Sequence, residues 1–232
     1  MRFVQDIERF RGTKEKDAKG LTLEAFLDAY DGSKYKTPAN TVDMLIFRTE
    51  EKEAGTPGTL RLLMIRRGNH PSIGALALPG GFVEMKENLE TAAARELEEE
   101  TGLQGLPLLQ LGTWGDWDRD PRWRVITTAY MTLVGEELPV QAGDDAADAF
   151  WVTPELTEEG SGEQLRILSE SGEVLGGAGI RCEERRAGLL TERRYSLVRN
   201  DGIAADHALI IAEGIRRLRV LCADPGYGRP ER

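Results

Sequence analysis

Cysteine is almost missing from this chain. Cys182 and Cys222 stand forty residues apart, outside any CxxC pair or Cys/His group. That spacing excludes a zinc site of familiar pattern and offers no disulfide framework. Long apolar runs are missing too. No stretch approaches the roughly 18 apolar residues of a membrane helix, and the opening MRFVQDIERFRGTKEKDAKG has no apolar core of signal-peptide length. From these absences we expect a reducing, cytoplasmic address and no membrane partner. Excess positive charge is also lacking, with 30 Lys and Arg against 40 Asp and Glu and a formal net charge of −10. This argues against a general binder of nucleic acid or of an anionic membrane surface.

What is present fits an ordinary soluble domain with additions: 232 residues, 40% hydrophobic and 30% charged, enough to bury a sizeable core. Four segments are expected. Residues 1–40 read as an N-terminal arm with a helix over Leu21–Tyr30 capped by Thr22. Residues 41–153 read as the main domain. There Thr41–Arg48 and Leu60–Arg66 form a hairpin, followed by strands at Leu106–Thr113, Val125–Val134 and Phe150–Val152. Residues 154–202 read as inserted antiparallel strands, with turns at Ser171-Gly172 and Gly176-Gly177. Residues 203–232 read as a C-terminal helix and tail. The helix, Ile203–Leu221, places Ala208, Ile211, Ile215 and Leu218 on one stripe. Strands and helices in this order give an α/β fold with a mixed sheet and helices on its faces.

The chain is organised around residues 81–103, GFVEMKENLETAAARELEEETGL. Gly80 and Gly81 predict a turn with backbone angles closed to other residues. Glu87 or Asn88 can serve the free amides at a helix start. From Leu89 to Thr101 there is no Gly or Pro, so the helix runs on until Gly102, a plausible left-handed cap. Glu96, Glu99 and Glu100 fall at i, i+3 and i+4 and share a face. Like charges there repel one another. The face is either a solvated acidic surface or a platform for a hard divalent cation.

The full stretch is similar to the Nudix box, G-x5-E-x7-R-E-U-x-E-E-x-G-U with U aliphatic. Gly81, Glu87, Arg95, Glu96, Leu97, Glu99, Glu100, Gly102 and Leu103 fill its nine positions. Seven are exact residue types, each expected at roughly 7%, so the joint chance at one start is on the order of 10⁻⁸. That favours the cation platform. The resemblance covers roughly Thr41 to Val152 and implies an α/β/α sandwich with the acidic helix against the sheet. It implies that Glu96, Glu99 and Glu100 ligate Mg²⁺ or Mn²⁺, with Glu96 either ligating or acting as a base through a water. It implies that Arg95 pairs with a carboxylate, Glu99 foremost, and that the Gly81 carbonyl lies in a turn that often adds a ligand. Glu87 supports the loop-helix geometry or ligates. Many members take a further acidic residue from a later loop, for which Asp144 and Asp145 are the candidates. The family also implies a homodimer.

Carboxylates on a rigid helix suit phosphoanhydride cleavage, where a cation neutralises phosphates and activates water. The chain has no GxSxG and no GxxxxGK[ST], so water is the expected attacker. GDWDRDPRWRVITTAY, with TVDMLIF and RRGNHP upstream, resembles ADP-ribose pyrophosphatase-like Nudix proteins and related ADP-ribose-sensing regulators. Arg119, Arg122 and Arg124 offer forked donors for a pyrophosphate or ribose. Trp114, Trp117 and Trp123 stack on adenine or belong to the core, and His70 touches a phosphate or is simply exposed. Two departures concern the base pocket: Leu76 stands where the family has Trp, and Trp117 where relatives have Pro or Gly. The implied reaction is hydrolysis of ADP-ribose to AMP and ribose 5-phosphate. The alternatives are another nucleotide substrate (a nucleoside triphosphate, a dinucleotide or a sugar nucleotide) or a non-catalytic sensor. Sensor relatives carry a C-terminal winged helix, and no helix-turn-helix pair is legible here.

Overall fold

The computed structural model describes residues 6–10, 15–16, 19–31, 37–50, 59–135, 138 and 146–223. The chain divides after Thr37. The first unit contains a 3-10 turn, Glu8–Phe10, and helix α1, Leu23–Ala29. As expected, Thr22 caps α1, its Oγ1 accepting from the Ala25 N–H at 3.3 Å. The rings of Phe26 and Tyr30 meet at 5.7 Å on its surface.

The second unit is built on a curled mixed sheet. In chain order its strands are β1 (Ala39–Glu50), β2 (Thr59–Arg67), β3 (Leu76–Ala77), β4 (Gly80–Phe82), then helix α2 (Leu89–Thr101). There follow β5 (Leu109–Trp114), β6 (Val125–Val134), β7 (Ala146–Glu159), β8 (Gly162–Leu168), β9 (Val174–Ala187), β10 (Leu190–Asp201) and helix α3 (His207–Ala223). The path is β10-β9-β8-β7-β2-β1-β6-β5, with β3 on β2 and β4 on β1. Pairing is antiparallel except between β1 and β6.

Strand β1 is buried on both faces, and the two-residue period of a strand sorts its side chains. Val42, Met44 and Ile46 pack with Ala92, Ala93 and Leu97 of α2. Leu45 and Phe47 pack with Ile211, Ile215 and Leu218 of α3. The layers are therefore helix, sheet, helix. The expected stripe of α3 lies in the core, and the helix sits so close to β1 that a Cβ on Gly214 would fall 2.5 Å from the Leu45 side chain. Among the described residues no helix is long and apolar enough to cross a membrane.

Three expectations need correction. Strand β7 is fourteen residues long and runs through the expected boundary at 153/154, pairing with β2 through Val152 and with β8 from Thr153. The strands after it therefore continue the main sheet. Gly176 and Gly177 lie inside β9 rather than in a turn; a Cβ on Gly177 would come within 2.8 Å of the Leu165 carbonyl. Residues 203–206 precede the C-terminal helix. The Leu76 N–H donates to Gly202 and the Ala204 N–H donates back to the Leu76 carbonyl, both at 2.8 Å, which ties the start of α3 to the edge of β3.

Candidate active site

Helix α2 buries Ala92, Ala93, Leu97 and Thr101, which turns Arg95, Glu96, Glu99 and Glu100 away from the core it packs on. Gly102 ends it in the left-handed conformation, φ 73°, with its N–H on the Glu98 carbonyl at 2.8 Å, as expected of a C-terminal glycine. Asn88 is the N-cap residue, but its side chain makes no capping bond. Glu87 is used otherwise.

Arg95 is the hub of the acidic face. Its Nε and Nη2 fork onto the two Glu87 oxygens, both at 2.9 Å. Its Nη1 donates to Glu96 at 2.6 Å and to Glu99 at 2.9 Å, and its Nη2 also reaches the Phe82 carbonyl at 3.0 Å. The expected pair with Glu99 is there, joined by two further carboxylates. Glu87 also accepts the Glu84 N–H at 3.1 Å. These bonds tie the loop before α2 to its acidic face.

Gly80 and Gly81 are not a turn. They form β4 opposite Val42 and Asp43 of β1, and their φ angles are ordinary. Close approach favours glycine, firmly at Gly80 against backbone and at Gly81 against a side chain that could move. A Cβ on Gly80 would sit 2.1 Å from the Val42 carbonyl, and one on Gly81 would sit 2.1 Å from the Glu96 carboxylate. The Gly80 N–H donates to Glu100 Oε2 at 2.7 Å. Strand and helix thus hold each other through the carboxylates.

Glu96, Glu99, Glu100 and Gly81 line one cavity of about 440 Å³, together with Asp43, Arg119, Arg122, Phe82 and His207. Burial pushes the Glu100 carboxyl up to about 7, against the Gly80 hydrogen bond that favours the anion. Burial also raises Glu96, with Arg95 opposing it. The Arg95 hydrogen bonds hold Glu87 below the usual carboxylate range, and Glu87 in turn holds the Arg95 guanidinium above its ordinary value. Arg95 occupies one oxygen of Glu96 and one of Glu99, and Gly80 occupies one of Glu100. The second oxygen of each carboxylate remains. These are hard donors opening on one cavity, a set that fits Mg²⁺ or Mn²⁺. Among the described residues no three such groups already converge on a point, so gathering them around a cation takes rotamer changes at the glutamates.

The arginines and tryptophans divide. Arg119 and Arg122 line the cavity. The Arg119 fork is engaged with Asp206, at 2.9 and 2.7 Å; burial disfavours its charge, and Asp206, helped by Asp43 and Asp120, more than offsets this. Arg122 forks onto Asp120 and stacks over the Phe82 ring at 5.2 Å. Arg124 is not brought to the cavity; its Nη1 donates to the Gly115 carbonyl at 2.6 Å and closes the base of the loop. Nor is Trp117, which is 79% exposed between Asp116 and Asp118. Trp114 packs on the core, and Trp123 is exposed away from the cavity. His70 is exposed and also lines it. Asp144 and Asp145 lie outside the described residues. Sequence reasoning missed Asp43, Phe82, Asp206 and His207. A charged residue inside the apolar run TVDMLIF was a signal for Asp43; nothing local marked the other three.

An acidic helix locked against a glycine strand, facing arginines across a cavity, defines an α/β protein in which carboxylates and guanidinium groups share one cavity. Residues 37–169 match the model described as the NUDIX domain, and the chain belongs to the Nudix family. It is 37% identical over 134 residues to the "ADPR responsive transcriptional repressor NtrR" of Acinetobacter baylyi, covering 57% of this chain and 51% of the relative. It is 43% identical over 116 residues to an "ADP-ribose pyrophosphatase" of Methanocaldococcus jannaschii, covering 50% of this chain and 62% of the relative. The chain thus spans between half and two thirds of these relatives' lengths. The crystal structure of a MutT/nudix family protein from Enterococcus faecalis superposes with a TM-score of 0.63 at 29% identity, covering 88% of this chain and 72% of that one.

Proposed function

We propose that the protein is a pyrophosphohydrolase that splits ADP-ribose with water. The phosphoanhydride P–O bond breaks, and AMP and ribose 5-phosphate leave. One observation carries the reading: Glu96, Glu99 and Glu100 face the same cavity as Arg119 and Arg122, pairing a cation platform with guanidinium donors as a metal-bound diphosphate requires. The M. jannaschii relative named for this activity supports it. A divalent cation held by the glutamates would neutralise the diphosphate and lower the pKa of attacking water. Arg95 keeps Glu96 and Glu99 aligned, and Arg122, stiffened by Asp120 and Phe82, binds the anionic ligand. The same reading keeps Mg²⁺ or Mn²⁺ as cofactor, a homodimer as assembly and the cytoplasm as address.

A second reading, a non-catalytic ADP-ribose sensor, is favoured by the similarity to the A. baylyi repressor. A hydrolysis panel in Mg²⁺ separates the two. It compares ADP-ribose, NADH, diadenosine polyphosphates, nucleoside sugars and nucleoside triphosphates, with products resolved by chromatography. Preferred cleavage of ADP-ribose to AMP is expected. Preference for another nucleotide overturns the substrate, and binding of ADP-ribose without turnover establishes the sensor.

A further inference from the structure

We propose that Asp43 and His207 together read a ribose hydroxyl of the substrate. The proposal rests on the ribose-phosphate reading above and adds a recognition site that the Nudix-matched segment, ending at residue 169, does not contain by itself.

Both side chains are buried, Asp43 to 6% and His207 to 8% exposure, yet both line the cavity. His207 Nδ1 accepts the Leu78 N–H at 2.9 Å. The lone pair is thereby assigned to Nδ1, and the neutral ring carries its hydrogen on Nε2. Nε2 lies 3.8 Å from Asp43 Oδ1, too long for a direct hydrogen bond. Asp43 is not free to close the gap, because its Oδ2 accepts the Thr127 hydroxyl at 2.6 Å. His207 is held by the Leu78 bond, and its neighbour Asp206 is fixed by the Arg119 fork.

The result is a buried donor and a buried acceptor of fixed polarity, separated by slightly more than one hydrogen bond. A hydroxyl accepts and donates at once and satisfies both. A phosphate oxygen only accepts and would face the Asp43 carboxylate. A cation would face the Nε2 hydrogen. The place also suits a sugar. Asp43 pairs with Gly80 across the sheet, and the Gly80 N–H holds Glu100. The donor-acceptor pair therefore adjoins the carboxylates that would hold the cation bound to the diphosphate, as a ribose adjoins its phosphate.

The test is isothermal titration of the full chain in Mg²⁺ with AMP against 2′-deoxy- and 3′-deoxy-AMP, and with ribose 5-phosphate against its 2-deoxy and 3-deoxy forms. In the unmodified protein one ribose should bind about tenfold or more tighter than a deoxy counterpart, because a site built for a hydroxyl strands its own polar groups without one. His207→Asn keeps an acceptor near Nδ1 for Leu78 but places its amide N–H away from the Nε2 position, removing the donor there; its ratio should fall to about one. His207→Gln offers a donor near the Nε2 position while giving up the Leu78 bond, and it should keep the discrimination. A ratio unchanged in folded His207→Asn, or lost in folded His207→Gln, overturns the proposal and leaves the hydrolase reading standing. Should His207→Asn not fold by circular dichroism, Asp43→Leu, which has a similar shape and no acceptor, takes its place with the same expectation. Failure of every compound to bind overturns the ribose-phosphate reading along with it.

Discussion

Glu100 concentrates the physics of the site in one side chain. Buried beside Glu96 and Asp43, its carboxyl titrates near 7 instead of 4.5. The sign follows from linkage: the unfolded chain loses this proton near 4.5 while the folded chain keeps it, so folding stability falls as pH rises between those values. In metal-free protein the loss is on the order of 3 kcal/mol at most. Thermal melts in EDTA should show a falling Tm from pH 5 to 7.5, and Glu100→Gln should flatten that slope. A slope unchanged in the variant would assign it to other groups. Cation and proton compete for the same oxygens, so Mg²⁺ affinity measured by titration should drop as pH is lowered through 7; equal affinity at pH 6 and 8 would remove Glu100 from the ligand set. Catalysis gives the harsher reading. Glu99→Gln and Glu100→Gln should each lower kcat by roughly 10²-fold or more with the fold intact, and near-normal turnover in both would end the platform argument.

At the scale of elements, α2 is placed by close approach. Gly81→Ala would push a methyl into the Glu96 carboxylate, so cation affinity should fall more than stability; a melt shifted by many degrees with binding intact would contradict this. Gly102→Ala must adopt φ near +73°, at a cost of about 1 kcal/mol and a Tm loss of roughly 2–4 °C. The acidic helix, its cap and its carboxylate face were all legible in the sequence because each is set by residues within one or two turns. The hairpin of β1 and β2 and the strands before α3 were legible from alternation and from the turn residues Ser171-Gly172, while Gly176-Gly177 reads as a turn yet lies inside β9. The Arg95 fork on Glu87 was not, because i and i+8 share no helix when Glu87 lies before its start. Asp206 and His207 were invisible for a stronger reason. They read as an ordinary helix entry, and only the pairing of residues 202–204 with Leu76 carries them to Arg119 and Leu78. Trp117 and Arg124 were over-read, since a loop of alternating charges exposes what it does not fold inward.

At the scale of the molecule, the homodimer is settled by light scattering on the full chain, where a monomeric mass at working concentration would dismiss it. The integrity of the sheet makes a different demand. Strand β7 belongs to the site-bearing strands by its first half and to the distal strands by its second. Ala178, Ile180, Ile203 and the buried face of α3 complete the same core as Leu45, Phe47 and Met64. A chain stopped after residue 169 keeps the whole segment the family shares yet leaves that core uncovered, and it should be recovered as aggregate with no cooperative melt. A soluble, cooperatively melting fragment would show the distal strands to be dispensable. What the family model covers and what must fold together are then different lengths of chain. If the fragment fails in this way, the matched module ends inside a cooperative unit, and grafting it onto another scaffold would leave behind part of its core and the Asp206 partner of Arg119.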